Sequence, residues 1–167
     1  MKRPVFLIKV LLAVLFAVYL YFLIRLILFK WGSVDIQLLL DQLHASIQHP
    51  DRIFDRPGNY TPFKEIKRDM DSISLGNPFA STNLLGNILA FIPLGFFLPN
   101  LFKPQAITFM RVFMISLGLS LSFEVTQLLL YIGTFDVDDL ILNTFGGVMG
   151  YCVLRIFYDS KQRVDTR

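Results

Sequence analysis

Four stretches of this chain have the length and polarity of membrane-spanning helices. Apolar residues run almost unbroken through Pro4–Phe29, Leu84–Phe102, Ala106–Ile132 and Leu140–Tyr158, and a helix needs about 20 such residues to cross the hydrocarbon core of a bilayer. The first has an uncharged centre from Val10 to Ile24 between Lys9 and Arg25, whose long stems let their charges reach the headgroups. Its apolar run exceeds the roughly 7–15 residues of a cleaved signal peptide and no A-x-A site follows, so it reads as a retained anchor. Lys103-Pro104-Gln105 separates the second stretch from the third, and Gly133-Thr134-Phe135-Asp136 the third from the fourth. Connections this short join antiparallel neighbours.

The first and second stretches are joined by a long connection, residues 31–82. Within it, Val34 to Gln48 sets Ile36, Leu39, Leu40, Leu43 and Ile47 at the i, i+3, i+4 spacing of an amphipathic helix, with Ser33 in the N-cap position. Such a helix either lies on the membrane surface or docks as a connector over the bundle. Pro50, Pro57-Gly58, Pro62 and Gly76-Asn77-Pro78 then break any long regular element. The expected fold is therefore all-α: an integral membrane bundle of four transmembrane helices, with an outer amphipathic helix and an irregular cap between helices 1 and 2. An anchor (1–30), the connection (31–82), a three-helix core (83–158) and a basic tail (159–167) follow in order.

Composition agrees, with 54% hydrophobic and 17% charged residues and a mean hydropathy of +0.55, which excludes an ordinary water-soluble globule. Charge adds orientation. Lys2, Arg3, Lys9, Lys103, Arg111, Arg155, Lys161, Arg163 and Arg167 gather at the two termini and the second connection, whereas the third connection holds three Asp and no Lys or Arg. The positive-inside rule then places both termini in the cytoplasm and the first and third connections outside. The first connection also carries Lys30, Arg52, Arg56, Lys64, Lys67 and Arg68, offset by seven acidic residues between Asp35 and Asp71.

Polar residues inside apolar helices are the candidate chemistry, because each ionisable group in lipid costs a few kcal/mol unless it pairs, binds or reacts. In the expected topology Asn83, Asn87, Glu124, Gln127, Asp136, Asp138, Asp139 and Asn143 all fall in the outer half of the bundle. Glu124 and Asn143 come to heights at which they can touch. Ser116, Ser120 and Glu124 recur every four residues with Gln127 three further on, and Asp139, Asn143, Gly146 or Gly147, and Gly150 do the same on the fourth helix, so each stripe faces the bundle. Gly146-x-x-x-Gly150 permits close backbone approach, and Pro93 removes one helical hydrogen bond from the second helix.

Several roles remain open for these groups. They can hydrogen-bond helices together; Asp138 and Asp139 can cap the fourth helix; Glu124 and Asp139 can divide acid and base work. Asp138, Asp139 and Glu124 offer oxygen ligands to a hard cation, but D-x-D-D is not a calcium loop, and neither a metal nor a cofactor is expected. No P-loop, HExxH or Ser-His-Asp set occurs. Cys152 stands alone as a core residue, and His44 and His49 read as solvated.

Three ordered blocks resemble the VanZ-like family: NLLGNILAFIPLGFFLP (Asn83–Pro99), FEVTQ (Phe123–Gln127) and FDVDDLILNTFGGVMGY (Phe135–Tyr151). Asn59-Tyr60-Thr61-Pro62-Phe63 resembles its N-x-x-P-F element, which adds Asn59, Pro62 and Phe63 to the candidate site. Gly133-Thr134 stands where many members have a basic residue. The resemblance implies a multi-pass protein of the bacterial cytoplasmic membrane, associated with reduced susceptibility to teicoplanin and related lipoglycopeptides. Membrane lipids are the expected partners, together with a lipid-linked cell-wall precursor or the lipoglycopeptide itself, and no nucleic acid. An enzyme modifying a lipid-linked envelope substrate, with Lys67 or Arg68 meeting a phosphate, is the alternative, and a structural subunit of a membrane complex is a third.

Overall fold

The computed structural model describes residues 3–30, 32–53, 55–74, 81–102 and 107–165. The Lys103-Pro104-Gln105 connection and the Gly76-Asn77-Pro78 break lie outside them, as do Lys2 and Arg167. Among the described residues six α-helices form: α1 (Arg3–Phe29), α2 (Ile36–Gln48), α3 (Lys64–Ser74), α4 (Ser81–Leu101), α5 (Phe109–Leu130) and α6 (Val137–Asp165). A 3-10 turn spans Pro50–Ile53, and two short strands, β1 (Gly58–Asn59) and β2 (Phe135–Asp136), pair in parallel. Four of the helices are long and apolar enough to cross a membrane, over Phe6–Phe29, Thr82–Leu101, Phe109–Leu130 and Val137–Tyr158. At 1.5 Å per residue each matches a hydrocarbon core about 30 Å thick.

The tightest pair is α4 with α6, and glycine is the reason. A Cβ placed on Gly146 would stand 2.2 Å from the Ile88 carbonyl oxygen, and one on Gly150 2.0 Å from that of Ile92. On the opposing helix, a Cβ on Gly95 would stand 1.9 Å from the carbonyl oxygen of Gly147. The backbones therefore touch, as small-xxx-small packing allows. Gly147 turns its own free side to α5, where Ser116 Oγ fills the place of a side chain. α4 runs through Pro93 and Pro99 as one helix.

The core continues between α4, α5 and α1 through Phe91, Leu94, Val112, Phe123 and Leu23. α1 attaches along its later turns: Tyr19 Oη donates to the Ala90 carbonyl at 2.8 Å, and the Phe16 and Tyr19 rings lie against Phe97. Its earlier residues, from Phe6 to Leu15, are largely exposed, as a lipid-facing helix would be. Cys152 is exposed on α6 rather than packed in the core.

Two features of the connection differ from the sequence expectation. Asp35, not Ser33, caps α2, its carboxylate accepting from the N–H groups of Gln37 and Leu38. An aspartate at that position reaches two free amides at once. The segment between the prolines also contains α3, eleven residues long. The prolines and glycines bound this helix instead of interrupting it. Beyond the fourth span, α6 continues to Asp165.

Candidate functional site

The polar groups meet at the end of the bundle where α1 and α5 finish and α4 and α6 begin, and the geometry starts with how α5 ends. Tyr131 adopts a left-handed conformation (φ 52°), and its N–H and that of Ile132 both donate to the Gln127 carbonyl, a C-cap that reverses the chain. The following residues fold back along α5, so that Asp136 N–H donates to Glu124 Oε2 at 2.7 Å. This return shifts the register of α6. Asn143 consequently meets Ser120, Nδ2 to Oγ at 2.9 Å, and Glu124 meets the backbone of the β2 segment, where spacing alone had set Glu124 level with Asn143.

Asp138 is the hub of the cluster. It is 1% exposed, and its carboxylate accepts from Phe63 N–H (2.5 Å), Glu65 N–H (2.7 Å), Ile66 N–H (3.2 Å) and Asn59 Nδ2 (3.4 Å). It thus caps α3 from a helix more than seventy residues later in the chain, as an anion at a helix N-terminus. The N-x-x-P-F element explains itself in these contacts. Asn59 Oδ1 accepts from Thr61 N–H, an Asx turn, and its Nδ2 reaches Asp136 Oδ1 at 2.8 Å. Phe63 has φ 66°, a left-handed backbone uncommon for a bulky residue, and contributes its N–H while its ring stays exposed.

Asp136 Oδ1 also accepts from Asp138 N–H at 2.8 Å, and Asp139 Oδ1 accepts from Asn87 Nδ2. Gln127 Nε2 donates to the Ile27 carbonyl at 2.9 Å and ties α5 to the end of α1. Four buried polar atoms have no hydrogen-bond partner among the described residues: Ser116 Oγ, Glu124 Oε1, Asn143 Oδ1 and Thr144 Oγ1. Native interiors leave few such atoms unpaired. Among the described residues no group of three His, Cys, Asp or Glu side chains is placed to hold a metal ion, and the four donors on Asp138 show what occupies that carboxylate instead.

Above this network lies a cleft of about 690 Å³, lined by the end of α1 (Leu26, Ile27, Lys30), β1 and α3 (Gly58, Asn59, Lys64, Glu65, Arg68), the start of α4 (Thr82, Asn83, Gly86, Asn87), Gln127, and Gly133, Thr134, Asp136 and Asp139. Among the expected site residues, Asn59, Asn83, Asn87, Gln127, Asp136 and Asp139 line it. Asp138, Glu124 and Asn143 lie beneath, fully buried and engaged internally. Lys67 is not among the lining residues, whereas Arg68 is.

Three basic residues gained roles that spacing did not suggest. Lys30 and Lys64 bring ammonium groups to the cleft. Arg56 donates to the Leu128 and Leu129 carbonyls at the end of α5 and to Ser46 Oγ of α2, and it stacks over Tyr131 at 4.8 Å. Ser46 Oγ itself donates to the Leu129 carbonyl at 2.7 Å. A cation at a helix C-terminus suits the dipole there, but only the folded chain brings Arg56 to α5.

Four membrane-spanning helices with a capped polar cleft at one end define a multi-pass membrane protein. The chain belongs to the VanZ/LLP1 family, whose profile matches residues 16–158. It is 40% identical over 77 residues to Protein VanZ of Enterococcus faecium, an alignment covering 44% of this chain and 47% of that protein. The match thus spans about half the length of that relative. No solved structure matches significantly.

Proposed function

We propose that this protein resides in a bacterial cytoplasmic membrane with both termini in the cytoplasm and the cleft facing outward. There it contacts a lipid-anchored envelope molecule or a lipoglycopeptide and lowers susceptibility to teicoplanin-type drugs. The observation that carries this reading is the cleft itself, at the end of the bundle, lined by two carboxylates, Asp136 and Asp139, and the amides of Asn59, Asn83 and Asn87. Polar groups held at the end of a membrane bundle around a space of ligand size are what a binding site requires. The orientation is supported by Arg111 and Arg155, which lie toward the opposite end of their helices.

Binding has more support than acid–base chemistry, since Glu124 does not line the cleft that Asp139 lines. The test is teicoplanin susceptibility, with vancomycin alongside, in a sensitive Gram-positive host expressing wild type or Asp139→Ala at matched membrane levels. Selective protection by wild type, reduced about tenfold or more in the variant, is expected. Equal protection by both would remove Asp139 from the site, and none by wild type would remove the drug-related role.

A further inference from the structure

The cleft is a space between two membrane helices as much as a cavity in the cap. α1 and α4 touch where Tyr19 meets Ala90 and Phe97. Toward the cleft they part: Leu26 and Ile27 on one side and Gly86 on the other line the open space, and a Cβ on Gly86 would meet nothing within 4 Å. An apolar wall thus leads from the flank of two spanning helices into a polar chamber.

The chamber's donors and acceptors are unevenly matched. Asp136 accepts from Asn59 and from the backbone, Asp139 accepts from Asn87, and Glu65 pairs with Arg68. The ammonium groups of Lys30 and Lys64 have no ion-pair or hydrogen-bond partner among the described residues. Lys30 lies within electrostatic range of Asp139 without pairing to it. Of the basic side chains lining this cleft, Arg68 is ion-paired, and the exposed ammonium groups of Lys30 and Lys64 are the ones without a carboxylate in salt-bridge contact among the described residues. Lys30 also ends α1 directly after the Phe6–Phe29 span, which puts it at the depth of lipid headgroups, where basic side chains meet phosphates. The backbone amides of α3 cannot serve the same ligand, because Asp138 already occupies them.

We infer that the cleft holds the phosphate of an anionic membrane lipid between Lys30 and Lys64, with the lipid chain leaving into the bilayer between α1 and α4 past Gly86. The inference rests on the reading of this cleft as a binding site for an envelope amphiphile, and it names the chemistry recognised. A volume near 690 Å³ is in the usual range of about 300–1,000 Å³ for small-ligand sites.

The test is native mass spectrometry of the full chain released from nanodiscs containing dioleoyl phosphatidylglycerol and dioleoyl phosphatidylcholine in equal amounts. Wild type should retain phosphatidylglycerol in preference, and Lys30→Gln/Lys64→Gln should lose that preference by about tenfold. The Lys30→Arg/Lys64→Arg variant should keep it. Gly86→Leu, which enters open space and leaves the fold intact by thermal unfolding, should displace the lipid while both lysines remain. Equal retention of the two lipids by wild type, or undiminished retention in either the glutamine or the leucine variant, would overturn the inference. So would millimolar inorganic phosphate displacing the lipid from wild type and binding Gly86→Leu equally well, since the site would then take free phosphate. Retention is read apart from drug susceptibility: a wild type that keeps its lipid but gives no protection supports the inference and overturns only the drug-related role.

Discussion

At Asp138 a single carboxylate accepts from three backbone amides of the Phe63–Ile66 turn and from the Asn59 side chain. Removing it takes the acceptor from all of them at once, in a buried to part-buried place. Asp139, its neighbour, satisfies the Asn87 amide. Asp138→Ala should therefore destabilise the protein by about 2–4 kcal/mol and Asp139→Ala by about 1 kcal/mol, since a lost cap and unsatisfied buried donors add. Chemical unfolding in detergent measures both, and equal losses would show that Asp138 is not the main tie to the cap. Limited proteolysis should cut Asp138→Ala earlier between β1 and α3. The D-x-D-D spacing identified acidic residues at a helix start, but the division of labour among them was not legible, because Asp138's partners lie more than seventy residues away.

The elements pair according to how closely their backbones approach. Gly146→Ala and Gly150→Ala each drive a methyl into a carbonyl of α4, and overpacking of this kind costs typically about 1–3 kcal/mol. Gly118→Ala on α5 meets nothing within 4 Å and should be neutral or slightly stabilising, because alanine is the better helix former. Thermal unfolding of the three variants distinguishes a packing seam from a general intolerance of glycine replacement. A second element-scale expectation concerns α2, which docks on the end of α5 through Ser46 and leaves Ile36, Leu40 and Ile47 at 69%, 50% and 67% exposure. Those three residues share one face, while Asp41 lies roughly 120° around the helix from its centre. In a Cys152→Ser background, a fluorophore on Ile47→Cys should be quenched by spin-labelled lipid and one on Asp41→Cys by aqueous iodide; the reverse pattern would place α2 away from the bilayer surface.

For the whole molecule, four crossings would set both termini on one side, and the cleft lies at the end of the bundle opposite the start of α1 and the end of α6. Tags at either terminus should become accessible to protease together, and only from the face opposite a label at Lys64→Cys, again with Cys152 replaced by Ser. A split result would mean that one candidate span does not cross. The bundle is also uneven, with α4, α5 and α6 closely packed and α1 attached along its later half. That asymmetry leaves the space beside Lys30 open.

The four long apolar helices and the polar stripes on α5 and α6 followed from the sequence alone, because hydrocarbon demands about 20 apolar residues per crossing and helical period sorts the exceptions to one face. The glycines of α6 were legible for the same reason, as positions where a backbone comes close. The tertiary structure alone decided which polar groups meet. The fold-back after Tyr131 sets the register of α6 against α5 and gives Glu124 to the Asp136 amide and Asn143 to Ser120. Long-range capping decided the rest: α3 is organised by Asp138, and α5 is closed by Arg56. Local propensity reports what a segment can become within its own turns; a hydrogen bond between residues seventy positions apart depends on the path of the whole chain, and that path exists only after folding.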